Sequence, residues 1–288
     1  MKKDLIMQYN KPPLSFMGNK RNMLKHIKQV LQDMQCDGYI NDETIFLDVF
    51  GGSGLISHNI KQWYPKNRVI WNDYDNYQKR LDGISDTEIL RAKIYEVFGI
   101  NDSKDKATQA QKQEILDFIK DFESKGHYVD YATLSVYLLF CGTYADSLES
   151  LSKHGFYNRV PKEPLCEAKG YLQGVERVQQ DFKALLDSYS HIQNKLLILD
   201  PPYLQTQVGN YKDCFRLGQF FELIQRVSKP YIFFGSENSD IVESFEYFKA
   251  HNNELEGYTY DNAYLSMGGK DFILYPQGRS LFENRKIV

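Results

Sequence analysis

The chain has 288 residues, 42% of them hydrophobic and 25% charged, and a formal net charge of −3 at pH 7. This composition is typical of a globular protein with one large core or a core plus an inserted module. The total charge argues against a surface that is basic throughout, and the longest apolar run, residues 136–141, is too short to cross a bilayer. Four scattered cysteines without metal-binding spacing favour free thiols and a cytoplasmic location, with no membrane contact.

The N-terminal thirty residues differ from the rest of the chain in charge. They contain seven lysines and arginines against a single aspartate. Such a surplus could neutralise several phosphates, although a solvated helix face would explain it equally well.

Four short apolar runs predict β-strands at residues 44–48, 68–72, 195–199 and 229–234. Strands that are apolar throughout are typical of a parallel sheet buried on both faces, and the intervening segments are long enough for crossover helices. A Gly-Gly pair at residues 268–269 between β-rich flanks predicts a C-terminal antiparallel hairpin. The predicted fold is therefore α/β, with a mostly parallel sheet and an antiparallel edge.

Between residues 79 and 180 the pattern changes. Charged, Gln-rich helical stretches such as residues 103–123 precede an apolar helix that starts at residue 131, and residues 154–162 read as an exposed loop or hairpin. Because no strand-turn-helix repeat occurs there, we predict an inserted, mainly helical module.

The turn after the third predicted strand, Asp200-Pro201-Pro202-Tyr203, combines a carboxylate, two residues without N–H donors and an aromatic ring. The Asp200 carboxylate and the Pro201 carbonyl could both accept hydrogen bonds from an aromatic NH2 group, and Tyr203 could stack on its ring. The alternative is an ordinary strand end with a proline turn.

Two other strand ends carry acids. Asp48 is followed by a glycine-rich turn that opens a helix near Leu55, a place where backbone can approach a ligand closely. Asp73, at the end of the next strand, suits the hydroxyls of a nucleotide ribose, or else the N-cap of a helix.

Taken in order, these motifs resemble the Dam-like D12 class of DNA N6-adenine methyltransferases, which use S-adenosylmethionine. The matching segments, in chain order, are Phe16-Met17-Gly18-Asn19-Lys20, Asp48-Val49-Phe50-Gly51-Gly52-Ser53-Gly54, Asn72-Asp73, Asp181-Phe182 and Asp200-Pro201-Pro202-Tyr203. The resemblance implies a Rossmann-like methyltransferase sheet. It places a discontinuous catalytic domain at residues 1–80 and 181–288 and a target-recognition DNA-binding domain at 81–180.

The resemblance also implies roles for individual residues in methyl transfer to N6 of a flipped-out adenine in duplex DNA, with no metal. Catalysis is expected at Asp200, Pro201, Pro202 and Tyr203. Cofactor binding is expected at Phe16, Gly18, Lys20, Asp48, Phe50, Gly52, Gly54, Asp73, Asp181 and Phe182. DNA contacts are expected at Lys11, Arg21, Tyr144, Lys153, Asn158, Arg159 and Lys162.

One departure concerns the recognition region. Relatives that read GATC carry an arginine where this chain has Ala145, and arginine is the residue that most often reads guanine. Arg159 could replace it, so the target sequence stays open. Also open are N4-cytosine or RNA adenine as substrates, a non-catalytic DNA-binding relative, a cognate restriction endonuclease as partner, and the oligomeric state.

Overall fold

The computed structural model describes residues 9–99, 105–202, 215–236, 262–267 and 271–276. In these ranges one sheet is formed by β1 (Ile45–Asp48), β2 (Val69–Asn72), β3 (Glu176–Val178), β4 (Lys195–Leu199), β5 (Tyr231–Ser236), β6 (Asn262–Met267) and β7 (Asp271–Pro276). The strand order is β3-β2-β1-β4-β5-β7-β6. Strands β3, β2, β1, β4 and β5 are parallel, β7 is antiparallel to β5, and β6 is antiparallel to β7. The predicted α/β class with a parallel sheet is confirmed; the Gly268-Gly269 turn lies outside the described residues.

Helices follow the strands and fill the long segment between β2 and β3. They are α1 (Leu24–Cys36), α2 (Leu55–Trp63), α3 (Tyr77–Asp82), α4 (Ile84–Phe98), α5 (Gln109–Ser124), α6 (Tyr131–Leu138), α7 (Leu148–Ser152), α8 (Phe182–Ser188) and α9 (Leu217–Arg226). A Thr108–Gln111 capping box begins α5, and the Asp130 side chain caps α6. None of the helices in the described ranges is both long and apolar enough to span a membrane.

The parallel strands are covered on both faces, which explains why they are apolar throughout. Alternate side chains such as Phe46 and Ile198 pack with α1 and α2, whereas Leu47 and Leu197 pack with α8 and α9. Each of these four side chains is fully buried. The sheet is therefore a rigid platform whose strand ends hold fixed positions.

Helices α4 to α7 enclose a hydrophobic cluster of their own, which includes Leu90, Ile119, Leu138 and Phe156. The sheet, however, begins earlier than the boundary predicted at residue 181, because β3 lies within the range 81–180 and pairs in parallel with β2. Its sequence, Glu-Arg-Val, is short and mostly exposed at the edge of the sheet, so it lacks the apolar run that marks the other parallel strands.

Candidate active site

A cavity of about 320 Å³ lies at the carboxyl ends of β1, β2 and β4, where open α/β sheets bind their ligands. Its volume is near the lower end of the range of roughly 300–1,000 Å³ for small-molecule sites. Residues from six chain segments line it: Phe16 to Lys20, Val49 to Ser53 with Leu55 and Ile56, Asn72 with Tyr74 and Asp75, Asp181 with Phe182, Asp200 to Pro202, and Phe215 with Gln219. The topology thus brings together most of the residues predicted to bind a cofactor.

The glycine-rich turn after β1 lies directly against an aromatic side chain. A Cβ atom at Gly52, where φ is +46°, would lie 2.8 Å from the ring of Phe16, so only glycine lets this ring rest on the turn. Gly54 faces Leu172 and does not line the cavity, unlike Phe50 and Gly52. Its positive φ of 74° serves the start of α2, and a contact of Gly54 with a cofactor stays a prediction.

Asp48 lies beneath the cavity, almost completely shielded from solvent. Its Oδ2 accepts a hydrogen bond of 2.6 Å from Ser57 Oγ, while Oδ1 has no hydrogen-bond partner among the described residues. Burial raises the pKa of Asp48 to about 7, and the charge of Asp200 adds to this rise. The Ser57 hydrogen bond and the charge of Lys20 act in the opposite direction. Asp48 is thus a buried acceptor with unused capacity next to the cavity.

Lys20 and Asp200 form an ion pair across the cavity wall, although 180 positions separate them in the chain. The distance from Lys20 Nζ to Asp200 Oδ2 is 2.6 Å, and the two side chains are only 9% and 17% exposed. Lys20 Nζ also donates to the Gly18 carbonyl at 3.0 Å. Pro201 and Pro202 line the cavity beside the pair, whereas Tyr203 lies outside the described residues. The Asp200 carboxylate, which was predicted to accept a hydrogen bond from an amino group, therefore already accepts one from the Lys20 ammonium group.

Asp73 does not line the cavity. Its Oδ1 accepts from the Tyr77 N–H at 2.5 Å, and its Oδ2 accepts from the Gln78 N–H and from Arg177 Nε. The side chain is fully buried. The prediction of a ribose contact is therefore replaced by the alternative, a cap on the N-terminus of α3, and the exposed Tyr74 and Asp75 line the cavity instead.

Three aromatic rings form an apolar slot at one end of the cavity. Phe50 lies 5.5 Å from Phe182 and 5.9 Å from Phe215, measured between ring centroids. The exposed Asp181 stands at the mouth and caps α8 through the Lys183 N–H. Phe50, Asp181 and Phe182 were predicted from the sequence, whereas Phe215 was not, because no local pattern distinguishes it from other apolar residues that precede a helix.

A second, larger cavity of about 1,070 Å³ adjoins the first and shares the wall from Phe16 to Asn19. Three of the residues predicted to contact DNA line it: Lys11, Arg21 and Tyr144. Arg80, which the sequence analysis did not single out, lines it as well. We call this space the groove.

The other four predicted DNA contacts lie away from the groove lining. Lys153 pairs with Glu149 at 2.8 Å, and the exposed Arg159 donates to the Leu139 carbonyl at 3.2 Å. The Asn158 N–H donates to the Asp105 carbonyl, and the Lys162 carbonyl accepts from Arg91. Arg159 therefore holds the turn after α6, and a contact with a guanine would compete with the bonds of its guanidinium to Leu139 and Cys141.

The parallel sheet, the glycine-rich turn and the cavity at the strand ends define an open α/β fold with a candidate ligand site at the carboxyl ends of its strands. The chain matches the family model of the D12 class N6 adenine-specific DNA methyltransferases over residues 16–224. It is also similar to a Haemophilus influenzae protein named "Putative methyltransferase", with 39% identity over 244 residues, which cover 84% of this chain and 81% of that protein. The chain belongs to the D12 class N6 adenine-specific DNA methyltransferase family, and the resemblance inferred from its motifs is confirmed.

Proposed function

We propose that this protein transfers a methyl group from S-adenosylmethionine to N6 of an adenine in duplex DNA. The observation that carries the proposal is Asp200, a largely buried carboxylate in the wall of the strand-end cavity, which already accepts a hydrogen bond from an ammonium group. In this proposal residues 1–80 and 181–288 form the catalytic domain, together with the edge strand β3, and the rest of residues 81–180 carries target recognition. DNA as substrate also implies a cytoplasmic enzyme.

The residues around the cavity fit S-adenosylmethionine in charge and shape. The slot of Phe50, Phe182 and Phe215 suits the flat adenine ring, with Asp181 at its edge. The unused Asp48 Oδ1 suits the cationic amino end of the cofactor, directly or through water. When bound, S-adenosylmethionine supplies an electrophilic methyl group on a sulfonium.

The protein's contribution to catalysis would centre on Asp200. The amino nitrogen of adenine is a poor nucleophile because its lone pair is delocalised into the ring. Hydrogen bonds from N6–H to Asp200 and to the Pro201 carbonyl strengthen as this nitrogen becomes pyramidal and gains positive charge, which stabilises the transition state more than the ground state. Lys20 holds the carboxylate in place until the amino group of the base takes over as donor.

A paired adenine cannot reach such a cavity, so the base must leave the duplex. The groove beside the cavity supports this step, because Lys11 and Arg21 line it and can meet phosphates. Tyr203 would stack on the extruded base, and Tyr144 would contact DNA from the helical segment. Further DNA contacts, beyond the groove, would come from Lys153, Asn158, Arg159 and Lys162. A cognate restriction endonuclease would read the same DNA sequence.

The test is single-molecule sequencing of DNA from a methylation-deficient bacterium that expresses this protein, beside cells that express Asp200→Ala. We expect N6-methyladenine in one short sequence motif in the first culture and none in the second. N4-methylcytosine in place of N6-methyladenine would shift the proposal to cytosine. Unmodified DNA, with the wild-type protein present and folded, would overturn it.

A further inference from the structure

Arg80 connects two parts of the chain that are far apart in sequence. Its Nε lies 3.1 Å from both carboxylate oxygens of Asp130, the residue that caps α6. Its Nη2 donates to the Ser15 carbonyl at 2.7 Å and to Thr133 Oγ1 at 3.3 Å. The Arg80 side chain is 13% exposed and that of Asp130 only 2%. One guanidinium thus joins the helical segment to the N-terminal segment.

The helix that carries Arg80 also fixes the residues next to Ser15. The Tyr77 hydroxyl donates to the Leu14 carbonyl at 2.9 Å and accepts from the Leu14 N–H at 3.0 Å. The Tyr77 ring meets the Phe16 ring edge to face, with 5.7 Å between centroids. Since Phe16 rests in turn on Gly52, the position of α3 sets the position of the ring above the glycine-rich turn.

The segment from Phe16 to Asn19 is the wall between the cofactor cavity and the groove, because it lines both. It is held at two ends. At one end Lys20 binds the Gly18 carbonyl and Asp200, and at the other Arg80 and Tyr77 bind Ser15 and Leu14. A change at either end moves a surface that both ligands of the proposed reaction would touch.

We propose that Arg80 is a positioning residue that couples the groove to the cofactor cavity, so that cofactor and duplex DNA bind with positive cooperativity through the Arg80–Asp130 pair. The inference rests on the proposed function. DNA in the groove would hold α6, because Ala132 and Val136 of this helix line the groove. The planar Arg80 guanidinium, whose hydrogen bonds are directional, transmits that restraint to Ser15 and the wall. Once one ligand has ordered the wall, binding of the second ligand loses less conformational entropy. The coupling is reciprocal, so each ligand raises the affinity for the other by the same factor.

The variant that tests this coupling is Arg80→Met with Asp130→Asn. It removes both charges together, because loss of one partner alone would leave the other buried and unpaired. The chain offers a matched control in Arg91→Met with Glu88→Gln. Arg91 is similarly buried and makes two bonds to Glu88 plus bonds to the Pro161 and Lys162 carbonyls, yet it has no contact with residues 14–20 among those described. Because Pro161 lines the groove, this control can weaken DNA binding itself, but it should leave unchanged the factor by which saturating DNA tightens cofactor binding.

The measurement is the calorimetric affinity for S-adenosylhomocysteine, with and without saturating duplex DNA that carries the motif found by sequencing. In the wild type and in the Arg91–Glu88 control we expect DNA to tighten this affinity by at least about fivefold. In the Arg80–Asp130 variant we expect a ratio within about twofold of unity. Melting temperatures of the two double variants show whether their folds are weakened equally.

A milder substitution, Arg80→Lys, guards against failure of the double variant to fold. We expect it to raise KM for both substrates severalfold with little change in kcat, because Arg80 touches no reacting atom. An Arg80–Asp130 variant that keeps the wild-type ratio, or an Arg80→Lys variant that lowers kcat alone, would overturn the coupling. A wild-type protein that binds neither S-adenosylhomocysteine nor DNA would instead overturn the proposed function.

Discussion

Asp48 is the last residue of β1 and Asp73 directly follows the neighbouring parallel strand β2, and both are buried, yet the structure uses them differently. Both oxygens of Asp73 accept hydrogen bonds, from the start of α3 and from Arg177. One oxygen of Asp48 binds Ser57, and the other has no partner in the described part of the chain. The location of an acid at a strand end is therefore not what distinguishes a ligand site from a structural cap. The difference is the hydrogen-bonding capacity that the fold leaves unused.

Burial raises the pKa of both carboxyl groups, so the shift alone does not separate them either. At Asp73 the two backbone N–H donors and Arg177 lower the pKa again. At Asp48 the opposing contacts are Ser57 and the charge of Lys20, while Asp200 raises the pKa further. Asp48 and Asp200 thus belong to one electrostatic unit, and Asp73 belongs to the scaffold beside it.

The largest effect is expected at Asp200, which belongs with Asp48 to the ligand site and not to the scaffold around Asp73. Asp200→Ala removes the acceptor for the amino group, and we expect kcat for DNA methylation to fall at least about 10³-fold. Affinity for S-adenosylhomocysteine, measured by calorimetry, should stay within a fewfold. An active variant, or one that has lost cofactor binding to the same degree as activity, would mean that Asp200 acts on the cofactor and not on the base.

Asp48→Asn should change the pH dependence of stability. Because the pKa is raised in the folded protein, the neutral carboxyl contributes stability below its ordinary value near 3.8, and that contribution is lost as pH rises toward about 7. Between pH 4 and pH 8 we therefore expect the variant to gain on the order of 3 kcal/mol of unfolding free energy relative to wild type. Urea unfolding at several pH values measures this difference. Parallel curves for the two proteins would show that Asp48 is ionised without penalty.

Asp73→Asn should have the opposite character, a loss of stability without a loss of binding. Both oxygens of Asp73 accept from buried or partly buried donors, and an amide keeps only one acceptor oxygen and turns its NH2 group toward the donors on the other side. Although burial raises the pKa of Asp73, we expect these unsatisfied donors to lower the stability by about 2 kcal/mol at pH 7. Affinity for S-adenosylhomocysteine should stay within about twofold. A tenfold loss of affinity with unchanged stability would restore the ribose role to Asp73.

The smallest effect is expected at Arg68, which pairs with Glu176 across the same two strands that carry Asp73 and Arg177. The Arg68–Glu176 pair makes two hydrogen bonds of 2.8 and 2.9 Å, but both side chains are about half exposed. We expect Arg68→Ala to change the unfolding free energy by less than about 1 kcal/mol. A cost equal to that of Asp73→Asn would show that the strand pairing, and not burial of the carboxylate, sets the stability here.

The sequence predicted the parts of this molecule that local patterns encode. Continuous apolar runs marked β1, β2, β4 and β5 to within about two residues, and the glycine-rich turn marked the start of α2 at Leu55. These signals are local because a strand buried on both faces and a turn with positive φ each restrict the residue types at their own positions.

The contacts that build the site could not be predicted in the same way. Lys20 meets Asp200 and Arg80 meets Asp130 only after the chain has folded, and neither pair shares a local pattern. Asp73 shows the limit most clearly, because the sequence places it at a strand end but contains no sign of the Arg177 side chain that meets it from β3. That strand went unpredicted because its residues are polar and exposed at the sheet edge.

The thin wall from Phe16 to Asn19 also has a consequence for inhibitor design. Two cavities that share one wall are close enough for a single molecule to occupy both, with a nucleoside part in the smaller space and a second group in the groove. Linking two weak fragments converts the second binding step into an intramolecular one with a high effective concentration. The Phe16 ring, which meets Tyr77 edge to face and lies against Gly52, is the point at which such a linker would pass.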